Sequence, residues 1–135
     1  MILGVGIDLV DIQRMQNAVA RYGDRFLRRV FTSGELAVYS PGGSTERLAA
    51  RFAAKEAVMK VLGTGWAQGV TWRDIEIVST GGRPHIRLHG TACAIAKRQG
   101  IAALHLSLTH AMEVAAAVVV ADSELHPEVT AFCAL

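Results

Sequence analysis

The stretch Arg51-Phe52-Ala53-Ala54-Lys55-Glu56-Ala57-Val58-Met59-Lys60, stopped by Gly63-Thr64-Gly65, constrains the fold more than any other segment. Its period is helical, and alanines fill much of its circumference, so the helix it predicts packs closely on several sides. Ser44 or Thr45 is placed to cap its start and Gly63 its end. Phe52, Glu56, Lys60 and Gly63 fall within about 80° of arc at 100° per residue, on one face. An acid in such surroundings costs on the order of several kcal/mol unless a cation or a set of donors satisfies it.

A second acid has the same problem. Asp8 closes the apolar run Ile2-Leu3-Gly4-Val5-Gly6-Ile7-Asp8, which reads as a strand to about Leu9. Either acid has an ordinary explanation taken alone. Glu56 and Lys60 have the i,i+4 spacing of a helical ion pair, worth about 0.2–0.5 kcal/mol, and Asp8 or Asp11 can cap the turn that follows the strand. If Asp8 and Glu56 meet, they repel, and a divalent cation relieves them. Hard oxygen ligands on rigid elements suit Mg²⁺, which keeps several waters and accepts phosphate as a further ligand. With Lys60 one turn away, that arrangement serves phosphoryl transfer.

The rest of the chain predicts a single α+β domain over residues 1–122, a small, mainly antiparallel sheet packed on the long helix. Asp11 caps a helix carrying Ile12, Met15, Val19 and Tyr22 on one face, and Gly23 interrupts it. Phe31 to Tyr39 reads as a turn and a short helix, and Pro41-Gly42-Gly43-Ser44 as a loop. Asp74 to Ser79 alternates, with Ile75 and Ile77 inward. Gly81-Gly82 turns into His85-Ile86-Arg87-Leu88, a hairpin. An alanine-rich helix spans Gly90 to Gln99, and Leu104–Thr109 and Val114–Ala121 read as strands. The tail 123–135 contains Pro127 and little periodicity; it either belongs to the domain or frays from it.

With 135 residues, 51% of them hydrophobic and 19% charged, the chain is globular, and its apolar excess favours a buried subunit interface. Its longest apolar run, Val114 to Ala121, is too short for a membrane span, and with no basic region ahead of an apolar one at the N-terminus no secretory signal is expected. Cys93 and Cys133 have neither metal-ligand nor redox spacing, so both are expected as ordinary thiols in a reducing cytoplasm. Arg14, Arg21 and Arg28 recur every seven residues, with Arg25 close to the same side. If the helix runs past Gly23 they form a basic stripe suited to an acidic helical protein or a phosphate backbone. Otherwise they are a solvated face. No aromatics interleave with them, and neither a nucleic acid nor a membrane is expected as partner. Gly63-Thr64-Gly65 either caps the helix or lets backbone N–H groups approach an anion. His110, at a strand end, is either exposed or a phosphate donor or proton acceptor. His85 and His105 read as sheet-surface residues, while Lys55 and Arg51 point away from the Glu56 face, solvated or reaching an anion elsewhere.

Taken together, these segments resemble the holo-acyl-carrier-protein synthases, the small bacterial class of 4′-phosphopantetheinyl transferases. The motifs are Gly4-Val5-Gly6-Ile7-Asp8-Leu9-Val10-Asp11-Ile12, Phe31-Thr32 with Glu35, Arg51-Phe52-Ala53-Ala54-Lys55-Glu56-Ala57, Leu62-Gly63-Thr64-Gly65, Gly82-Arg83-Pro84 and Leu106-Ser107-Leu108-Thr109-His110. The resemblance runs over about residues 2 to 121 and implies transfer of phosphopantetheine from coenzyme A to a serine of apo-acyl carrier protein, in a homotrimer. It also implies Asp8 and Glu56 as Mg²⁺ ligands and catalytic groups, and Lys60 as the residue that balances pyrophosphate charge. Arg51, Gly65, Arg83, Pro84, Thr109 and His110 would border the nucleotide, and Arg14, Arg21 and Arg25 would meet the carrier's acidic helix. Gly82-Arg83-Pro84 and Thr109-His110 depart from the commoner Gly-Lys-Pro and Ser-His but keep the donors. Two other readings compete: a non-catalytic module that docks an acidic partner, which leaves the interior acids unexplained, and a metal-dependent pyrophosphate hydrolase, which needs no basic face.

Overall fold

The computed structural model describes residues 1–39, 44–65, 67–79, 81–127 and 129–133. Strand β1 (Ile2–Asp11) leads into helix α1 (Ile12–Tyr22), capped by Asp11, whose Oδ1 accepts from the N–H groups of Gln13 and Arg14. Gly23 takes φ +55 and ends α1, and α2 (Asp24–Val30) starts at once. A short α3 (Ser33–Ala37) precedes the 18-residue α4 (Thr45–Leu62). Hairpin strands β2 (Ile75–Val78) and β3 (His85–Leu88) follow, then α5 (Gly90–Arg98), β4 (Ala103–Ala111) and β5 (Val114–Asp122). The order β1-β5-β4 makes a three-stranded antiparallel sheet, and β2-β3 a separate two-stranded one. The expected α+β class with a small antiparallel sheet holds. The loop expected over Pro41-Gly42-Gly43 lies outside the described residues.

Alanine explains how α4 is wrapped. Ala49, Ala50, Ala53, Ala54 and Ala57 are all buried, and short side chains let β1 and β5 lie close to the helix axis. Gly6 takes this furthest. A Cβ there would sit 2.1 Å from the Ala57 carbonyl oxygen, so only glycine allows β1 to cross α4 at that height. Gly63 adopts φ +73 and its N–H returns to the carbonyls of Met59 and Lys60, so its role is that of a left-handed C-cap.

Because strand residues alternate, Gly4, Gly6, Asp8 and Val10 face α4, and Val5, Ile7 and Leu9 face the other way, 61%, 61% and 67% exposed. Ile7 lies level with Val118 and Ser107, and Leu9 with Ala116 and Thr109, so the outward side of the sheet carries an apolar patch.

One expectation is corrected. Cys93 and Cys133 form a disulfide rather than two thiols. Forty residues separate them, and periodicity says nothing of where the tail goes. The interruption expected at Gly23 is present and puts Arg14 and Arg21 on α1 and Arg25 and Arg28 on α2, so the single stripe that required a helix running past Gly23 does not form. Among the described residues no helix is long and apolar enough to cross a membrane.

Candidate active site

The crossing at Gly6 fixes what comes two residues later. Asp8, on the same side of β1, reaches the α4 face that carries Phe52, Glu56 and Lys60. Lys60 extends across to the strand, where its Nζ donates to the Ile7 carbonyl at 2.9 Å and to Asp8 Oδ1 at 3.1 Å. The i,i+4 partnership expected with Glu56 is thus replaced by one across elements. The strand offers the ammonium two acceptors, one of them a carboxylate only 12% exposed.

Glu56 is half-buried, and its carboxyl pKa stands above the ordinary value. Burial is the main cause and the field of Asp8 adds to it, while Lys60 and Arg14 pull the other way. Asp8, Glu56 and Arg14 line one cavity of about 310 Å³, walled by Met15, Phe26 and Phe52. Phe52 stacks on Trp72 with ring centroids 4.7 Å apart, which fixes that wall. The two acids therefore converge, with cations on either flank. No group of three or more His, Cys, Asp or Glu that could hold a metal occurs among the described residues. A cation here would take two carboxylates from the protein and fill its shell with water or ligand oxygens, the coordination Mg²⁺ prefers.

The other predicted residues lie elsewhere in the single chain. Arg51 is buried, donates to Ser79 Oγ at 2.9 Å and to the Arg47 carbonyl at 3.3 Å, and has no partner for its Nε. Desolvation by burial lowers its pKa. It lines a second cavity, of about 240 Å³, with Ser44 and Arg47, neither singled out from the sequence for such a role. Arg83 and Pro84 line a third. Thr109 is on the outward side of the sheet, away from Asp8, and His110 Nδ1 lies 3.5 Å from Glu46 Oε2 at the start of α4. Gly65 follows the cap with φ +51. Arg21 lies over the Tyr22 ring, 5.4 Å from its centroid. Of the named residues, the structure brings together Asp8, Glu56, Lys60 and Arg14.

Of the two outcomes expected for Lys55, solvation or an anion elsewhere, the second holds, in a charged cluster whose other members the sequence did not point to. Lys55, fully buried, donates to Glu35 Oε1 at 2.8 Å and to the carbonyls of Trp72 and Ile75. Glu35 also accepts from the N–H groups of Thr32 and Ile77. Beside it, Glu76 accepts from Thr32 Oγ1 at 2.6 Å and meets His89 Nε2 at 3.0 Å. The Thr32-x-x-Glu35 spacing of a capping box was the available signal.

A family model described as the 4′-phosphopantetheinyl transferase superfamily matches residues 4–119, and the chain belongs to that superfamily. Among its relatives, the holo-[acyl-carrier-protein] synthase of Solibacter usitatus is 47% identical over 112 residues, 82% of this chain and 90% of that protein. The crystal structure of the Neisseria meningitidis holo-[acyl-carrier-protein] synthase superposes with a TM-score of 0.82 at 34% identity, covering 90% of this chain and 99% of that one. The Helicobacter pylori synthase in complex with coenzyme A gives 0.77 at 30% identity, with 88% and 100% covered.

Proposed function

We propose that this protein is a holo-[acyl-carrier-protein] synthase. It transfers the 4′-phosphopantetheine arm of coenzyme A to a serine of apo-acyl carrier protein and releases adenosine 3′,5′-bisphosphate, in support of fatty acid biosynthesis. The observation that carries the reading is the convergence of Asp8 and Glu56, distant in sequence, in one cavity bordered by Lys60 and Arg14.

Asp8 and Glu56 would hold Mg²⁺, which when bound draws negative charge off the pyrophosphate of coenzyme A. Lys60, already fixed on the Ile7 carbonyl and Asp8, places its ammonium beside the phosphate that leaves. Glu56, with its affinity for protons raised by burial and by Asp8, accepts the proton of the attacking serine hydroxyl, directly or through a water. Phe52 and Met15 keep that end of the cavity apolar, which strengthens each charge interaction within it.

Arg14, Arg21 and Arg25 form the docking face for the carrier's acidic helix, from two helices rather than one. Arg51, Gly65, Arg83, Pro84, Thr109 and His110 border the nucleotide. Their distribution over separate places in one chain is explained if a site is walled by more than one subunit. The outward apolar patch of Val5, Ile7 and Leu9 supports a homotrimer that covers it. The cytoplasm, where coenzyme A and carrier proteins meet, is the proposed location.

The test is to mix the protein with coenzyme A, Mg²⁺ and apo-carrier and to weigh the carrier by mass spectrometry. A gain of one phosphopantetheine is expected. An unmodified carrier that a known transferase can still load would refute the assignment, and release of 3′,5′-ADP without any carrier would favour the hydrolase. Sedimentation should give three chains per particle.

A further inference from the structure

The segment up to Cys133 returns to the body beyond the stretch matched by the family model, which stops at residue 119. Phe132 is buried in the core, and its carbonyl accepts from the Leu88 N–H at the end of β3. Cys133 bridges to Leu88 in parallel and is bonded to Cys93 on α5. Between β5 and this anchor, Glu124 to Pro127 are exposed, and so is Ala131. Val129 and Thr130 of the same tail stand against Arg83, Pro84, His85 and His105 as one wall of a cavity of about 170 Å³. Among the described residues, the tail is thus held by the buried Phe132 side chain, its backbone bond to Leu88 and the disulfide at Cys133. Cys93 and Cys133 are only partly buried, so their sulfurs are open to exchange.

We infer that the tail is a redox-releasable clasp, closed by Cys93–Cys133, which walls the cavity at Arg83 and Pro84 and opens it when reduced. A dithiol reductant does this by thiol–disulfide exchange. One of its thiolates attacks a sulfur of the Cys93–Cys133 bond, its second thiolate resolves the mixed disulfide, and the reductant leaves as its own disulfide. The two electrons and two protons end on Cys93 and Cys133 as thiols. The reverse exchange, with a disulfide oxidant, closes the clasp. In a reducing compartment the open form is the resting one, and oxidation supplies the wall. The consequence for catalysis rests on the proposed role of Arg83 and Pro84 at the nucleotide. Loss of Val129 and Thr130 as a wall raises KM for coenzyme A by roughly five- to tenfold, the equivalent of one lost side-chain contact, and leaves kcat within about twofold.

Hydrogen exchange read by mass spectrometry on the full chain, oxidised or reduced with dithiothreitol and without coenzyme A, tests the clasp independently of the enzymology. Reduction should speed exchange in the segments holding Leu88 and Phe132. Cys133→Ser and Cys93→Ser should both exchange like the reduced protein, whatever the redox state. Unchanged exchange on reduction, or alkylation of both cysteines before any reductant is added, overturns the proposal. KM for coenzyme A is then measured in both states. Faster exchange with an unchanged KM overturns the wall at Arg83 and Pro84. Faster exchange in a protein that loads no carrier in either state supports the clasp and places the failure in the functional assignment.

Discussion

Lys55 and Glu56 are neighbours on α4, yet they belong to opposite kinds of environment. Lys55 faces a sealed pocket in which every one of its donors is spent, on Glu35 and two backbone carbonyls, with the Phe31 ring 5.5 Å from its Nζ. Glu56 faces a cavity shared with another acid, and its charge is held at a cost that burial and Asp8 impose. One helix carries both because consecutive residues lie about 100° apart and α4 is covered on several sides. The sealed pair ties α3, α4 and β2 together and has no capacity left for a ligand. The open group is left under-satisfied, which is the condition for binding a cation and handling a proton. Charge inside a protein is therefore structural or chemical according to what remains unpaired, and not according to residue type.

The contrast breaks most visibly at Lys55. Lys55→Met leaves Glu35 buried without its cation and should cost about 3–5 kcal/mol of stability, read from urea unfolding. Adding Glu35→Leu to that variant should restore a good part of the loss, because an apolar pair no longer needs satisfying. A Lys55→Met protein as stable as wild type would mean that the pocket is not sealed. At Glu56 the pattern reverses. Glu56→Gln should keep stability within about 1 kcal/mol and lower the rate of carrier loading by about 100-fold or more. If the rate survives, the chemical half of the comparison is wrong.

How far this division could be read from the sequence depends on what decides it. The helix and a glycine placed to cap it at Gly63 are local matters of residue size and backbone freedom, and the sequence displays them, whereas the close approach at Gly6 depends on which element crosses β1. Asp8 and Glu56 stood out because each is an acid in an apolar frame, and the fold brings them to one cavity. Lys55 could not be placed that way. Periodicity tells which residues share a helix face but not which faces are covered, and α4 is covered nearly all round. Glu35 sits on a five-residue helix, too short to show a pattern of its own. The path of the tail to Cys93 is likewise a tertiary matter, as is the choice by Lys60 of Asp8 over its own helix neighbour. The arginine spacing left two outcomes open, and one glycine at φ +55 decides between them by dividing the heptad over two helices.

Arg14 sits where the open region meets the proposed docking face, lining the Glu56 cavity while belonging to the basic group of α1. Arg14→Glu should raise KM for the carrier by about tenfold, consistent with the loss of one interfacial ion pair, and affect KM for coenzyme A far less. Rising salt should narrow the difference between variant and wild type, since screened charges discriminate less. Equal rises in both KM values would move Arg14 from the docking face into the nucleotide site.

Acid should separate the two regions by sign. Glu56 has a folded pKa raised above its ordinary 4.5, so it favours the folded state below that value. This contribution is lost as pH rises through the folded pKa. Glu76, beside the sealed pair, has a lowered pKa. Burial opposes the shift, but hydrogen bonds from Thr32 and His89 outweigh it. Its contribution is present above 4.5 and is lost as pH falls through the folded pKa. Unfolding midpoints measured in urea from neutral pH down into the carboxylate range should therefore respond in opposite ways. Glu76→Gln should remove part of the acid destabilisation of wild type. Glu56→Gln should gain on wild type at neutral pH, and that gain should vanish in acid. Both effects are modest because each carboxylate is partly exposed, and neither should depend on coenzyme A. If the two variants trace the same pH curve, Glu56 and Glu76 share one kind of environment and the division drawn along α4 fails.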